Sequence, residues 1–269
     1  LIVTGLISVF VCKEGRYEDA VKQKKTPLWT NVKQAYSNRV FMRLMTVVLL
    51  VGAAFFTIMT LSPYITIYYV MAGDGEAASF YLGLYGTSWV ISSLLMTPLV
   101  SWTATRYGKK KILTIAIFIN LLGHVAKIWC YVPGSPLLIC IPPALLAAGF
   151  AGLWVIIPSM NADICDKDEL DTGTSSEGMY SAVYGWFLKT SISVAVMLGG
   201  LLLVASGFDA SLETAQSEST IHWLRILEAG TPIPMVLAGI FLLKKYPLSE
   251  DRMYEIREQL KLRKQETTN

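Results

Sequence analysis

Charged residues are scarce in this 269-residue sequence, as are the side chains that most often carry covalent catalysis. Only 16% of residues are charged while 53% are hydrophobic, and there are just two histidines. The sequence contains no GxSxG nucleophile elbow, no Walker phosphate loop and no metal-ligand spacing among its four cysteines. We therefore expect no catalytic residues, no metal site and no nucleic-acid partner, and the composition excludes a soluble domain of this length.

Long apolar runs take up most of the chain instead. A helix that crosses a bilayer needs about 20 mostly apolar residues. Five runs reach that length and a shorter sixth is a further candidate: 40–71, 78–102, 112–132, 137–160, 179–206 and 226–243. The opening stretch 1–11 is apolar but lacks an initiator Met and a charged n-region, so it is neither a signal peptide nor a full span. We interpret it as the end of a helix that begins before this sequence.

The positive charges alternate between the connections. Of the 23 Lys and Arg residues, seven lie in 12–39, four in 103–111, one in 161–178 and seven after residue 243. The other three connections hold only Arg225. The positive-inside rule therefore predicts that the first three of these segments and the tail are cytoplasmic. The acidic composition of 161–178 is an exception that charge bias does not explain.

Two of the cytoplasmic segments have the pattern of surface helices. Thr26 and Pro27 can begin one of them, with apolar side chains on one stripe: Leu28, Trp29, Val32, Ala35 and Tyr36. The tail carries Met253, Ile256 and Leu260 on one side. We thus divide the chain into the end of a span (1–11), a loop with an interfacial helix (12–39), a six-helix membrane half (40–243) and an amphipathic tail (244–269).

A few residues in the apolar runs have two interpretations. Pro63 predicts a kink that either only tilts the helix or opens backbone toward a cavity. Cys130 and Cys140 bracket a short turn and are either buried thiols or a disulfide. His124 lies one turn from Lys127 near the predicted external end of its run. We expect both to reach water by snorkelling, and a proton relay is the alternative.

The segment 161–178 concentrates acids, and the next run carries Lys189 deep into the membrane. Its acids include Asp163, Asp166, Glu169 and Glu177, whereas the five longer runs contain three bases (Arg43, Lys127 and Lys189) and no acid. The acids are expected to pair with Arg106 or Lys109, or with an absent half of the protein, when the cytoplasmic side is closed, or else to form a merely solvated turn. A deep unpaired lysine costs roughly 2.5–3.5 kcal/mol, so we expect the partner of Lys189 to lie outside this sequence.

Three motifs resemble a known family. TRYGKKK (105–111) is similar to the basic loop between helices eight and nine of major facilitator superfamily transporters. NVKQAYSNRVFMRLM (31–45) and NADICDKDELDTGTSSEGMYS (161–181) resemble the helix-seven entry and the helix ten to eleven loop of the glycoside-pentoside-hexuronide:cation symporter family. The matching positions, at the family's spacing, are Trp154, Ala162, Asp163, Asp166, Glu169, Glu177 and Lys189.

The resemblance implies an all-α membrane protein, the C-terminal six-helix bundle of a twelve-helix major facilitator fold preceded by the end of helix six. It implies substrate-binding roles for Trp154, Lys189 and Tyr184. At 1.5 Å per residue, the first two lie roughly 13–17 Å from the cytoplasmic ends of their helices, near the midplane of a core about 30 Å thick. The sequence departs from the family at Thr105, where an acid is common, and at Thr174 and Ser175, where bases are common.

The resemblance also implies a function: cation-coupled symport of a sugar or glycoside by alternating access, without enzymatic activity. No cofactor is expected, and the coupling sodium ion or proton would bind in an absent N-terminal half, which would be a partner of this chain together with the lipid bilayer. The expected location is a bacterial inner membrane with the tail cytoplasmic. The alternatives are the same fold carrying a lipid-like or organic anion substrate, and a membrane scaffold that transports nothing.

Overall fold

The computed structural model describes residues 28–174, 176–212 and 215–268, and within those ranges the regular elements are helical. The predicted end of a span at 1–11 and the helix start at Thr26 and Pro27 lie outside the described residues. The α-helices are α1 (Leu28–Ser37), α2 (Arg39–Tyr64), α3 (Gly75–Tyr107), α4 (Lys109–Cys130), α5 (Ile141–Ala151), α6 (Ile157–Thr172), α7 (Glu177–Ser206), α8 (Glu218–Gly230), α9 (Pro232–Lys244) and α10 (Glu250–Thr268).

Six helical segments of the described chain are long and apolar enough to cross a membrane, which confirms the predicted six-helix fold class. We call them the first to sixth spans: Arg39–Val70, Gly75–Tyr107, Lys109–Cys130, Pro136–Thr172, Glu177–Ser206 and Glu218–Lys244. The sixth begins eight residues before the predicted run. Its first turns include Glu218 and His222, which lower the hydropathy, and the Ser217 side chain caps the helix by accepting from the backbone N–H of Thr220.

Two spans change their helical geometry near a proline. The first continues from α2 into a π-helical turn, Ile65–Val70, directly after Pro63. The fourth joins α5 to α6 through another π turn, Gly152–Ile156, just before Pro158. Pro158 has no backbone N–H to donate to the carbonyl of Trp154, four residues earlier and inside the second π turn, so the α-helical pattern is interrupted there. Pro63 itself lies inside α2, and the change of helix type begins two residues after it, so the kink at Pro63 stays a prediction.

Close helix packing depends on small residues at the contacts. A Cβ atom added at Gly149 would lie 2.4 Å from the Cβ of Asn120. The backbone of the fourth span at Gly149 therefore packs directly against the Asn120 side chain of the third span. The first span is the most buried, whereas the second and fifth leave most of their length exposed within the described chain. Among the described cysteines, Cys130, Cys140 and Cys165 are all free, in agreement with the interpretation as thiols.

One end of the bundle gathers the segments that the charge pattern assigns to the cytoplasm. Asn38 donates from its side-chain amide to the Tyr180 hydroxyl (3.1 Å), joining the starts of the first and fifth spans. Arg43 donates to the backbone carbonyl of Lys245, joining the start of the first span to the end of the sixth. The tail helix α10 packs against α6 with Met253, Ile256 and Leu260 buried, as its predicted apolar side requires.

The short helix α1 buries only part of its predicted apolar stripe. Ala35 is fully buried in the core, whereas Trp29 and Tyr36 are exposed. An exposed tryptophan beside the start of a span suits the membrane interface, where an amphipathic ring contacts both lipid and water.

Candidate functional site

The structure brings two of the predicted substrate-binding residues to one place. Trp154 lies in the π turn of the fourth span and is 47% exposed. The Tyr184 hydroxyl, on the fifth span, donates to the backbone carbonyl of Leu153 at 3.5 Å. The Tyr184 hydroxyl therefore reaches the backbone beside Trp154, while the indole itself packs against Phe150.

Lys189 is exposed and lies elsewhere on the fifth span. It follows Tyr184 by five residues, which places it about 140° around the helix, and it shares a face with the exposed Trp186 and Ser193. Among the described residues, its ammonium group takes part in none of the ion pairs, hydrogen bonds or cation–π contacts. The structure thus does not join it to Trp154 or Tyr184, and its role remains a prediction.

An aromatic cluster extends from Trp154 to a cavity of about 270 Å³ between the first and second spans. The ring centroid of Phe150 lies 5.7 Å from that of Trp154 and 5.0 Å from that of Trp89. The cavity wall is mostly apolar, with Phe55, Met59 and Trp89 among its members and Ser62 and Tyr85 as its polar groups. Such a site can accept an aromatic or aliphatic surface together with one or two hydrogen-bonding groups.

The predicted charge cluster exists, and Asp163 is its centre. Its carboxylate accepts from Lys109 Nζ at 2.7 Å and from Arg257 Nη2 at 2.6 Å, and Arg257 Nε reaches Asp166 at 3.3 Å. The carboxylate of Glu250 accepts from the backbone N–H of Lys109 at 2.8 Å. These contacts connect the start of the third span, the end of the fourth span and the tail helix.

Several details of this cluster differ from the sequence prediction. The acids do not end their helix or form a loop: α6 continues to Thr172 and stops at Gly173, whose φ of +75° suits glycine. Arg106 is exposed and lies over the Trp102 ring at 5.6 Å, apart from the cluster. Glu177 begins α7. The contribution of Arg257 was missed, because charge spacing in the tail gives no sign of which base faces the membrane helices.

A second ion pair lies buried within the helix bundle and was also missed. Lys127 Nζ and Glu228 Oε1 are 2.5 Å apart, and both side chains are fully buried. Ser62 donates to the same carboxylate oxygen at 3.0 Å and contacts the Tyr131 hydroxyl at 3.1 Å. The first, third and sixth spans therefore meet at one polar group.

This pair corrects two expectations from the sequence. Lys127 and His124 do not snorkel to water, since both are 0% exposed. The buried partner of Lys127 was not expected either, because Glu228 is the one acid in the apolar runs and lies in the short sixth run, 226–243. Burial of a lysine is tolerated here because a carboxylate on a neighbouring span compensates its charge. The imidazole of His124 is buried one turn away and has no hydrogen-bond partner among the described residues.

The described residues contain no group of three or more His, Cys, Asp or Glu side chains arranged to hold a metal ion.

Comparison with known proteins identifies the family. A profile described as "MFS/sugar transport protein" matches residues 1–250, so the chain belongs to this family of major facilitator superfamily proteins. It is 27% identical to an uncharacterized symporter of Synechocystis over 89% of this chain and 44% of the relative. It is 23% identical to the isoprimeverose transporter of Lactiplantibacillus pentosus over 84% of this chain and 45% of the relative.

A vertebrate protein is similar as well. The sodium-dependent lysophosphatidylcholine symporter 1-A of Danio rerio is 27% identical over 64% of this chain and 32% of its own length. The chain thus spans less than half the length of the curated relatives it matches. Together, the six spans and the family membership establish an integral, multi-pass membrane protein.

We expect the Lys127–Glu228 pair to be the most sensitive site for stability. Glu228→Gln leaves a buried ammonium without its counter-charge, so the variant should lose about 3–5 kcal/mol, measured by thermal or denaturant unfolding in detergent. Lys127→Met combined with Glu228→Gln removes both charges and should recover most of this loss. The control is Glu218→Gln on the exposed first turn of α8. Equal stability of Glu228→Gln and Glu218→Gln would show that the buried pair does not stabilise the bundle.

Proposed function

We propose that this chain is the C-terminal half of a secondary active transporter that couples entry of a sugar or glycoside to a cation gradient by alternating access. The observation that carries the proposal is the exposed Trp154, whose neighbour Leu153 accepts from the Tyr184 hydroxyl, in a chain of the sugar transport protein family. Aromatic faces stack on sugar rings, and hydroxyl and ammonium groups bond to sugar hydroxyls. Transport by rocking of two halves requires no covalent step, so we assign no enzymatic activity.

The unpaired lysine supports a binding site shared with a second half. Lys189 lies in the middle of the fifth span without an ionic partner among the described residues. A charge at that depth is costly unless it meets water, substrate or an opposite charge. We propose that it faces the transport pathway, and that an N-terminal half of the same protein supplies the site for the coupling sodium ion or proton.

A lipid-like substrate is the second candidate. The apolar cavity next to Phe55, Met59 and Trp89 favours it, since such walls suit an acyl chain better than a sugar. The similarity to a lysophosphatidylcholine symporter also favours a lipid-like substrate. A scaffold that transports nothing is less well supported, because it does not explain an unpaired lysine at position 189.

For location, we propose a bacterial inner membrane with the tail and the Asp163 cluster on the cytoplasmic side.

The transport proposal can be tested with the full-length protein in cells or liposomes. Labelled glycosides and labelled lysophosphatidylcholine are offered with and without inward sodium and proton gradients. We expect gradient-driven glycoside accumulation, abolished by Lys189→Ala and weakened by Trp154→Ala at normal membrane levels. The matched control is Lys167→Ala, which changes an exposed lysine paired only with Asp171. Full glycoside transport by Lys189→Ala would refute its assignment, and uptake of the lipid alone would favour the second candidate.

The Asp163 cluster supports a gating role for the acids of α6. The Lys109–Asp163–Arg257 contacts can form only while the third span, the fourth span and the tail helix stay together. If this end must open during the transport cycle, the same contacts must break. The proposal is that the cluster holds the cytoplasmic side closed in one state.

Neutralising the centre of this cluster tests the gate. Asp163→Asn weakens two charge-assisted contacts, which should change the maximal transport rate by about tenfold or more. The equilibrium affinity for substrate should stay within about twofold, because the substrate residues are unchanged. Asp171→Asn, in an exposed pair, serves as the control. Unchanged rate and affinity in a well-expressed Asp163→Asn protein would make the cluster a structural link only.

A further inference from the structure

A cavity of about 570 Å³ opens beside the Asp163 cluster and shares part of its lining with it. It lies where the third span begins, the sixth span ends and the tail helix starts. Apolar side chains, including Ile115, Leu248 and Met253, form much of its wall. Four lysines and two acids also line it, a net charge of +2: Lys109, Lys110, Lys111, Lys244, Asp163 and Glu250.

Both acids are already engaged. Asp163 binds Lys109 and Arg257, and Glu250 accepts from the backbone N–H of Lys109. Lys110 Nζ donates to the backbone carbonyls of Lys244 and Tyr246 at 3.0 and 2.7 Å, which fixes the corner between the third and sixth spans. The cavity is therefore a positively charged recess with its own negative charges neutralised.

Two of the lysines are exposed and have no acidic partner among the described residues. Lys111 Nζ lies 5.9 Å from the centre of the Tyr107 ring, and Lys244 is the last residue of the sixth span. Both ammonium groups belong to the terminal turns of membrane-spanning helices. That is the depth at which phospholipid headgroups lie.

A buried hydrogen-bond donor gives the second, independent indication of a ligand. Tyr246 is 3% exposed and lines the cavity, and its hydroxyl has no partner among the described residues. Burial, together with the negative charges of Asp163 and Glu250, raises the pKa of this hydroxyl, so it stays protonated and can donate. Buried hydroxyls are nearly always paired, which points to an acceptor supplied by a bound molecule.

We infer that this cavity binds the headgroup phosphate of an anionic phospholipid, with Lys111 and Lys244 contacting the phosphate and Tyr246 donating to it. The half-exposed Ile115 and the exposed Phe241 continue the apolar wall along the membrane side of the cavity, where acyl chains can lie. A lipid fits better than a free anion, because a soluble anion would gain nothing from this apolar wall. The inference does not depend on which substrate is transported.

The test measures thermal unfolding of the purified full-length protein in detergent while a short-chain lipid is added. Dihexanoyl phosphatidylglycerol should raise the unfolding temperature in a saturable way, whereas dihexanoyl phosphatidylcholine and inorganic phosphate at the same concentrations should not. Lys111→Gln with Lys244→Gln should raise the half-saturating lipid concentration roughly tenfold or more. The matched control, Lys33→Gln with Lys261→Gln, removes two exposed lysines elsewhere and should respond like the parent protein.

Tyr246→Phe gives a separate criterion that does not depend on the lysine variant folding. Without lipid, this change should leave the unfolding temperature equal or higher, since it removes an unpaired buried hydroxyl. With phosphatidylglycerol, the temperature shift should be smaller than in the parent. An equal response to phosphatidylcholine, an equal response to inorganic phosphate, or an unchanged lipid response in Tyr246→Phe and the lysine variant would each overturn the assignment of an anionic lipid.

Discussion

A charge inside a membrane helix must find an opposite charge or water, and this constraint organises the described structure. Lys127 meets it with Glu228, and the pair connects the first, third and sixth spans through Ser62. Lys189, by contrast, has no acidic partner among the described residues. The contrast separates two kinds of base in the membrane spans: a buried one that holds helices together, and an exposed one that requires a partner from outside the described chain. The proposed transport pathway follows from the second kind.

Charged side chains are paired differently at the predicted cytoplasmic end and in the interior of the bundle. At the predicted cytoplasmic end, the buried Asp163 is shared by two bases, one of which, Arg257, is about half exposed, so the contacts can be exchanged for water when helices separate. In the interior, the Lys127–Glu228 pair is fully buried, and breaking it would leave two unsolvated charges. We therefore expect the interior pair to stay intact while the Asp163 cluster opens and closes. The lysine-rich cavity beside that cluster would place a bound lipid next to the moving parts.

The sequence was sufficient for the six spans, for the apolar side of the tail and for Lys109 as a partner of the acidic segment, because hydropathy and charge are properties of short stretches. It failed where the answer depends on which helices are neighbours. Glu228 is one acid in a short apolar run, and only packing places it against Lys127. Arg257 is one of several tail bases, and only the docking of α10 selects it. The π turn around Trp154 depends on Pro158 and on close packing at Gly152, which propensity alone does not reveal.

The most direct test of this account is the solvent access of position 189 in the full-length protein. Lys189→Cys, made after the four native cysteines are replaced, would be treated with a membrane-impermeant thiol reagent with and without transported substrate. We predict labelling that substrate slows, because the position faces a water-filled pathway, while a cysteine at the buried Ala195 stays unlabelled. Reaction only with a lipid-soluble reagent, unaffected by substrate, would place Lys189 against lipid and contradict the central claim.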